Sequence, residues 1–160
     1  MLLALHRQAE ALDAFAVARR LGEDSAKVWT GRAAALYSLG RLREARRASQ
    51  RVLNLTPAQA SAWNIFGTIC HALKDYGAAL DAFDHALRLE PRNGPIWANK
   101  AGVLFAPRRY AEALSLCDYA LGLAPRDATA WNNKVETLKA LGRHREADEA
   151  ARRRAAVFGT

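Results

Sequence analysis

The stretch ASAWNIFGTICHALKDYGAALDAFDHALRLEPRN, residues 60–93, is the unit from which the rest of the chain is built. Trp29, Trp63, Trp97 and Trp131 stand 34 residues apart, and Pro57, Pro91 and Pro125 keep the same interval, each six residues ahead of a Trp. Two residue types holding one period across most of a chain mark an internal repeat. A period of roughly 20–50 residues marks a solenoid, whose units bury their apolar faces on their neighbours.

Within the unit, apolar residues recur twice at helical spacing. Trp63, Phe66, Ile69, Cys70 and Leu73 form one stripe, and Ala79, Leu80, Phe83, Ala86 and Leu87 form another. Lys74-Asp75-Tyr76-Gly77 breaks the pattern between them. The reading is two amphipathic helices of about 14 residues, about 21 Å each. The short connection makes them antiparallel neighbours. Pro91 ends the second helix or opens the next turn, because it has no N–H to donate into a helix interior.

Half of the 160 residues are apolar (51%), Ala recurs in every segment, and runs of Val, Ile and Thr are missing, so the chain reads as all-α. The net charge is +8. A basic cluster at Arg41, Arg43, Arg46, Arg47 and Arg51 offers a surface for nucleic acid or an acidic partner. Interleaved acidic residues make solvated helix faces the preferred reading. Cys70 and Cys117 both fall on apolar phases and read as buried thiols, with no metal-ligand spacing around them. No run reaches the roughly 18 apolar residues of a membrane span, and the opening MLLAL is too short for a signal segment, so the expected setting is cytoplasmic.

The unit resembles the tetratricopeptide repeat, a 34-residue helix–turn–helix, through Trp63, Gly67, Tyr76, Ala79, Phe83, Ala86 and Pro91. Small residues stand where helices would cross: Gly67 and Ala79 within a pair, Ala86 at the junction with the next. The Trp-to-Pro phase and the Pro-Arg-Asn ending set it apart from the RNA-reading pentatricopeptide repeat. The resemblance implies a right-handed α–α superhelix of helical hairpins with a concave surface lined by the first helices. Repeats are expected at 26–59, 60–93, 94–127 and 128–160. The last departs from the pattern as a terminal unit that faces water. Residues 1–25 read as the second helix of a half-unit, which would leave an apolar face open to a longer array, a partner or a second copy. Pro107, in the phase of Leu73, predicts a first helix ending near Phe105 and a kinked turn after it.

No catalytic constellation is legible. His6, His71, His85 and His144 are scattered, and no phosphate loop, nucleophile elbow or metal motif appears. The expectation is a non-catalytic protein–protein interaction scaffold with no cofactor and no metal, binding a peptide or partner segment. Asn99 and Asn133 follow their Trp by two residues, and Asn64 and Asn132 by one. A row of amides, each both donor and acceptor, can hydrogen-bond an extended backbone without reading its side chains. Such a row resembles the asparagine ladder of some tetratricopeptide superhelices. Tyr37, His71, Phe105 and Lys139, each eight residues after a Trp, with Thr68 and Glu136 on the same face, would supply pocket walls and charge. The cations of a carboxylate clamp for chaperone tails are missing at the matching positions. Nucleic-acid binding through the basic cluster and self-association through the open N-terminal face are the alternatives.

Overall fold

The computed structural model describes residues 12–17 and 20–159 and shows an all-α solenoid of helical hairpins. A helical stretch, residues 12–17, precedes eight helices: α1 (Ala26–Ser38), α2 (Leu42–Leu55), α3 (Ala60–Ala72), α4 (Tyr76–Leu89), α5 (Gly94–Phe105), α6 (Tyr110–Leu123), α7 (Ala128–Ala140) and α8 (His144–Phe158). They pack as the successive pairs α1–α2, α3–α4, α5–α6 and α7–α8, each pair then packing on the next. First helices also touch first helices, α3 on α5 and α5 on α7, which places this series along one side of the stack. Residues 1–11, and with them the first-helix remnant and most of the open face expected there, lie outside the described residues.

Small side chains bring the helices of each pair together. Ala45, Ala79, Ala113 and Ala147 hold one phase of the second helices and are all buried, as are Ala33, Gly67 and Ala101 in the first helices. At Gly67 a Cβ would lie 2.9 Å from the Phe83 ring, so glycine is what lets that ring approach α3 this closely. The phase of Phe83 is held by Ser49 in the preceding pair and by Cys117 in the following one, both fully buried. Ser49 resolves its polarity within its own helix, its Oγ donating to the Arg46 carbonyl at 3.0 Å. Burial raises the Cys70 thiol, and pushes that of Cys117 up to about 12, so both are neutral packing groups.

The Pro-to-Trp interval has a direct physical cause. Each indole N–H donates to the carbonyl of the proline six residues before it: Trp63 to Pro57 at 2.8 Å, Trp97 to Pro91 at 2.9 Å, Trp131 to Pro125 at 2.9 Å. The bond ties the turn between pairs to the body of the next first helix. Glu23 stands where the first copy would carry its proline, and there Trp29 donates to Asp24 instead.

The turn inside each pair closes by a Schellman pattern in all four copies. Gly40, Lys74, Arg108 and Gly142 bond back three residues, and Arg41, Asp75, Arg109 and Arg143 bond back five. α5 does end at Phe105, but the kinked turn expected from Pro107 does not follow. Leu39, Leu73 and Leu141 each donate to the carbonyl four residues earlier, and Pro107 merely lacks that one bond. The remaining geometry needs a left-handed residue, with φ of 71°, 62°, 59° and 72° in the four copies. Lys74 and Arg108 therefore carry side chains where glycine fits without strain.

Three of the second helices open with Arg and Glu three residues apart, paired in bidentate fashion at 2.6–2.8 Å: Arg41–Glu44, Arg109–Glu112 and Arg143–Glu146. The fourth opens with Asp75, which accepts from the Ala78 N–H at 3.3 Å. The arginine hydrogen bonds hold Glu44, Glu112 and Glu146 below the ordinary carboxylate range.

Two outcomes follow. Arg108→Gly should stabilise the chain by about 1 kcal/mol, the relief of left-handed strain outweighing the extra freedom of glycine in the unfolded chain, with Gly142→Lys costing a similar amount. Thermal unfolding of both variants checks this. The three depressed glutamates stabilise the fold above the ordinary Glu pKa, and that contribution fades as pH falls through their lower folded-state values. Low-salt unfolding curves between about pH 6 and pH 3 should therefore show a smaller acid loss in Glu44→Gln/Glu112→Gln/Glu146→Gln than in the parent chain.

Candidate partner-binding groove

The first helices bring the expected site residues onto one face in unequal degrees. A cavity of 340 Å³ opens across α3, α5 and α7, lined by His71, Ala101, Gly102, Phe105, Asn133, Glu136 and Thr137. Four of the expected residues, His71, Phe105, Asn133 and Glu136, thus meet around one space. Phe105 is 38% exposed and meets Tyr110 edge-on, with centroids 5.1 Å apart, so the ring is supported on one side and partly open. His71 tilts against Tyr76 at 6.1 Å, and burial lowers its pKa, favouring the neutral imidazole.

Two of the amides bond from one first helix to the one before it. The Asn99 side-chain N–H donates to the Asn64 side-chain oxygen at 2.9 Å, and that of Asn133 donates to the Ala98 carbonyl at 2.9 Å. Each bond holds its amide in a fixed orientation, with the amide oxygen of Asn99 and of Asn133 accepting from no described residue. Gly102 gives Asn133 its room, since a Cβ there would lie 3.1 Å from the Asn133 amide nitrogen. Thr68 donates to the Asn64 backbone carbonyl at 2.9 Å and stays half-buried in α3.

Other expected residues stand apart from that cavity. Asn132 accepts from Arg154 of α8 at 2.6 Å and is drawn towards the second helix of its own pair. Lys139 is exposed and paired with Glu136 at 2.9 Å, so this end of the face is close to neutral. Tyr37, 40% exposed, stands in the last turn of α1, away from the cavity. Gly102, Ala101 and Thr137 were not singled out from the sequence. The signal for Gly102 was its phase, which it shares with Thr68 and Glu136.

Three of the five residues of the basic cluster have acidic partners. Arg41 is committed to Glu44, and Arg51 to Asp24. Arg46 lies over the Phe66 ring at 5.8 Å and reaches Asp75 at 3.1 Å, filling the seam between α2 and the next pair where other copies carry Leu80 and Leu114. Arg43 and Arg47 are exposed and without an ion-pair partner among the described residues. Among those residues no group of three or more His, Cys, Asp or Glu could hold a metal ion, and no helix is long and apolar enough to cross a membrane.

Asn133→Ala removes a half-buried bond between α7 and α5 without touching the pair contacts. It should cost about 1 kcal/mol and raise hydrogen exchange first in α7 and α8, which exchange mass spectrometry resolves.

The sequence matches the model of the tetratricopeptide repeat over residues 30–95 and 72–128, together more than half of the chain. No curated protein matches it significantly in sequence. Among solved structures, MamA 41-end from Desulfovibrio magneticus RS-1 superposes with a TM-score of 0.79 at 17% identity, covering 94% of this chain and 85% of that one. Another MamA crystal structure gives 0.76 at 14% identity, covering 95% and 83%. YrrB, described as a TPR protein with an unusual peptide-binding site, gives 0.69 at 20% identity, covering 98% and 80%. At these identities the likeness is one of fold. On its sequence match and its helical hairpins, the chain belongs to the tetratricopeptide repeat family.

Proposed function

We propose that the chain is a non-catalytic interaction scaffold that holds an extended segment of a protein partner along the face formed by α3, α5 and α7. The observation that carries the reading is the pair of helix-to-helix amide bonds, Asn99 to Asn64 and Asn133 to the Ala98 carbonyl, with Asn133 also lining the Phe105 cavity. Amides already oriented by bonds to the neighbouring helix lose little freedom when they pair with a peptide backbone. The cavity beside them offers a wall of His71 and Phe105 to one bulky side chain, and aromatic walls of this kind concentrate binding energy. Glu136, the one carboxylate among the lining residues, is paired with Lys139 outside the cavity, so this contact should respond weakly to salt. The structurally similar YrrB carries a peptide-binding site, which agrees with such a use of the fold.

Peptides selected from a random library on the whole chain provide the ligand, and fluorescence anisotropy provides the affinity. Asn99→Ala/Asn133→Ala and, separately, Phe105→Ala should each weaken binding by about tenfold, a loss of roughly 1.4 kcal/mol. Circular dichroism melts identify variants that have simply unfolded. Unchanged affinity in both folded variants would sink the proposal.

A further inference from the structure

A second cavity, of 350 Å³, lies between α1 and α2 and is lined by Trp29, Arg32, Glu44, Arg47, Ala48 and Arg51. Three guanidinium groups share it with one carboxylate, and that carboxylate is already gripped by Arg41 from outside. Arg32 is half-buried, its guanidinium lying over the Trp29 ring at 5.5 Å. Arg51 pairs with Asp24. Neither Arg32 nor Arg47 has an ion-pair partner among the described residues.

The repeat supplies its own control. Arg32 occupies the phase of Lys100 and Lys134. Those lysines likewise lie over the Trp of their own helix, at 5.6 and 5.9 Å, but each is neutralised by an Asp of the preceding second helix, Lys100 by Asp84 at 2.5 Å and Lys134 by Asp118 at 2.6 Å. The position from which an Asp would reach Arg32 is residue 16, and it is an alanine. Arg47, for its part, stands where the later copies carry Asp81, Ser115 and Glu149. At two phases of one seam this copy has therefore lost an acid or gained a base, leaving positive charge concentrated in one cavity.

We infer that this cavity is a binding site for a phosphate monoester carried on a segment of a protein partner. Guanidinium forks match phosphate oxygens in pairs, and a group of nearly two negative charges answers Arg32 and Arg47, which share only Glu44, itself held by Arg41, with Arg51 alongside. The cavity is local. Moving along the stack, the Arg47 phase becomes Asp81, Ser115 and Glu149, and the lysines at the Arg32 phase are each paired with an Asp, so no run of unpaired cations continues for a polyanion laid across successive pairs. A single phosphorylated side chain fits that distribution, and a nucleic-acid backbone does not. The site lies on α1 and α2, separate from the groove across α3, α5 and α7.

Inorganic phosphate and O-phosphoserine, titrated into the whole chain, should shift the arginine side-chain NMR signals of Arg32 and Arg47 saturably, with serine producing no shift. Arg32→Gln/Arg47→Gln should weaken the binding by about tenfold or more. Ala16→Asp, which restores the missing acid and removes no cation, should weaken it comparably. Asn99→Ala/Asn133→Ala should leave it unchanged, so the outcome here is independent of the groove. The absence of a saturable shift, or full affinity in the Ala16→Asp variant, would overturn the inference. So would a single-stranded oligonucleotide whose affinity climbs steeply with length and falls with salt, since that behaviour belongs to a phosphodiester track.

Discussion

The close approach of paired helices is the constraint on which the rest of the structure depends. Units of a solenoid contact only their neighbours, so no distant core corrects a badly set pair. The volume at each crossing is shared between one residue on the first helix and one on the second. Where the second helix brings Phe83, the first yields to Gly67, whose missing Cβ the ring occupies. Where the second helix brings only Ala151, the first supplies Val135, and both join one apolar cluster. Ala33 with Ser49 and Ala101 with Cys117 pair two small residues. At least one small residue stands at every crossing while its partner changes, and the neighbouring side chains fill whatever volume the pair leaves, as close packing demands of an interior.

Local hydrogen bonds then fix the angles that packing leaves open. The indole bond to the proline carbonyl sets how each first helix leaves its turn, and the Schellman closure sets how the second helix returns. Each works within about ten residues of chain, so every copy can build its own geometry. This independence explains why Lys74 and Arg108 are tolerated in left-handed conformation: the five-back and three-back bonds over-determine the turn around them.

The sequence disclosed what repeats and concealed what crosses between copies. Helices, pair order and the Pro–Trp interval were legible because each is a property of one 34-residue unit. The reason for the interval was not, since nothing in the spacing names the carbonyl as the acceptor. Arg46 looked like part of a basic surface, yet it closes a seam through Asp75, a residue of the next copy. Asn132 and Asn133 looked like two members of one row. Adjacent helical residues point about 100° apart, and the structure sends one amide to α8 and the other to α5. Pro107 shortened its helix as read, but the turn beyond held because proline removed a single bond from a pattern that has two others.

Keeping a small residue at each crossing while varying exposed phases gives such an array a particular freedom. A change on one seam alters neither the crossing that supports it nor the seams beyond, because the coupling runs only to nearest neighbours. The proposed groove and the proposed α1–α2 site would be two uses of that freedom. The groove needs three successive first helices, since the amide bonds run between them, and the one carboxylate lining its cavity is paired. The cavity needs one pair and an unanswered charge. Two such sites can be tuned separately, and a partner that engages both would combine a salt-insensitive backbone contact with a charge-dependent one. The gain from joining them rises with the match between the linking segment and the distance along the stack, because the second contact then forms at high effective concentration. In this chain that reach is set by the stacking of pairs, and so by the small residues that fix how closely each pair is packed.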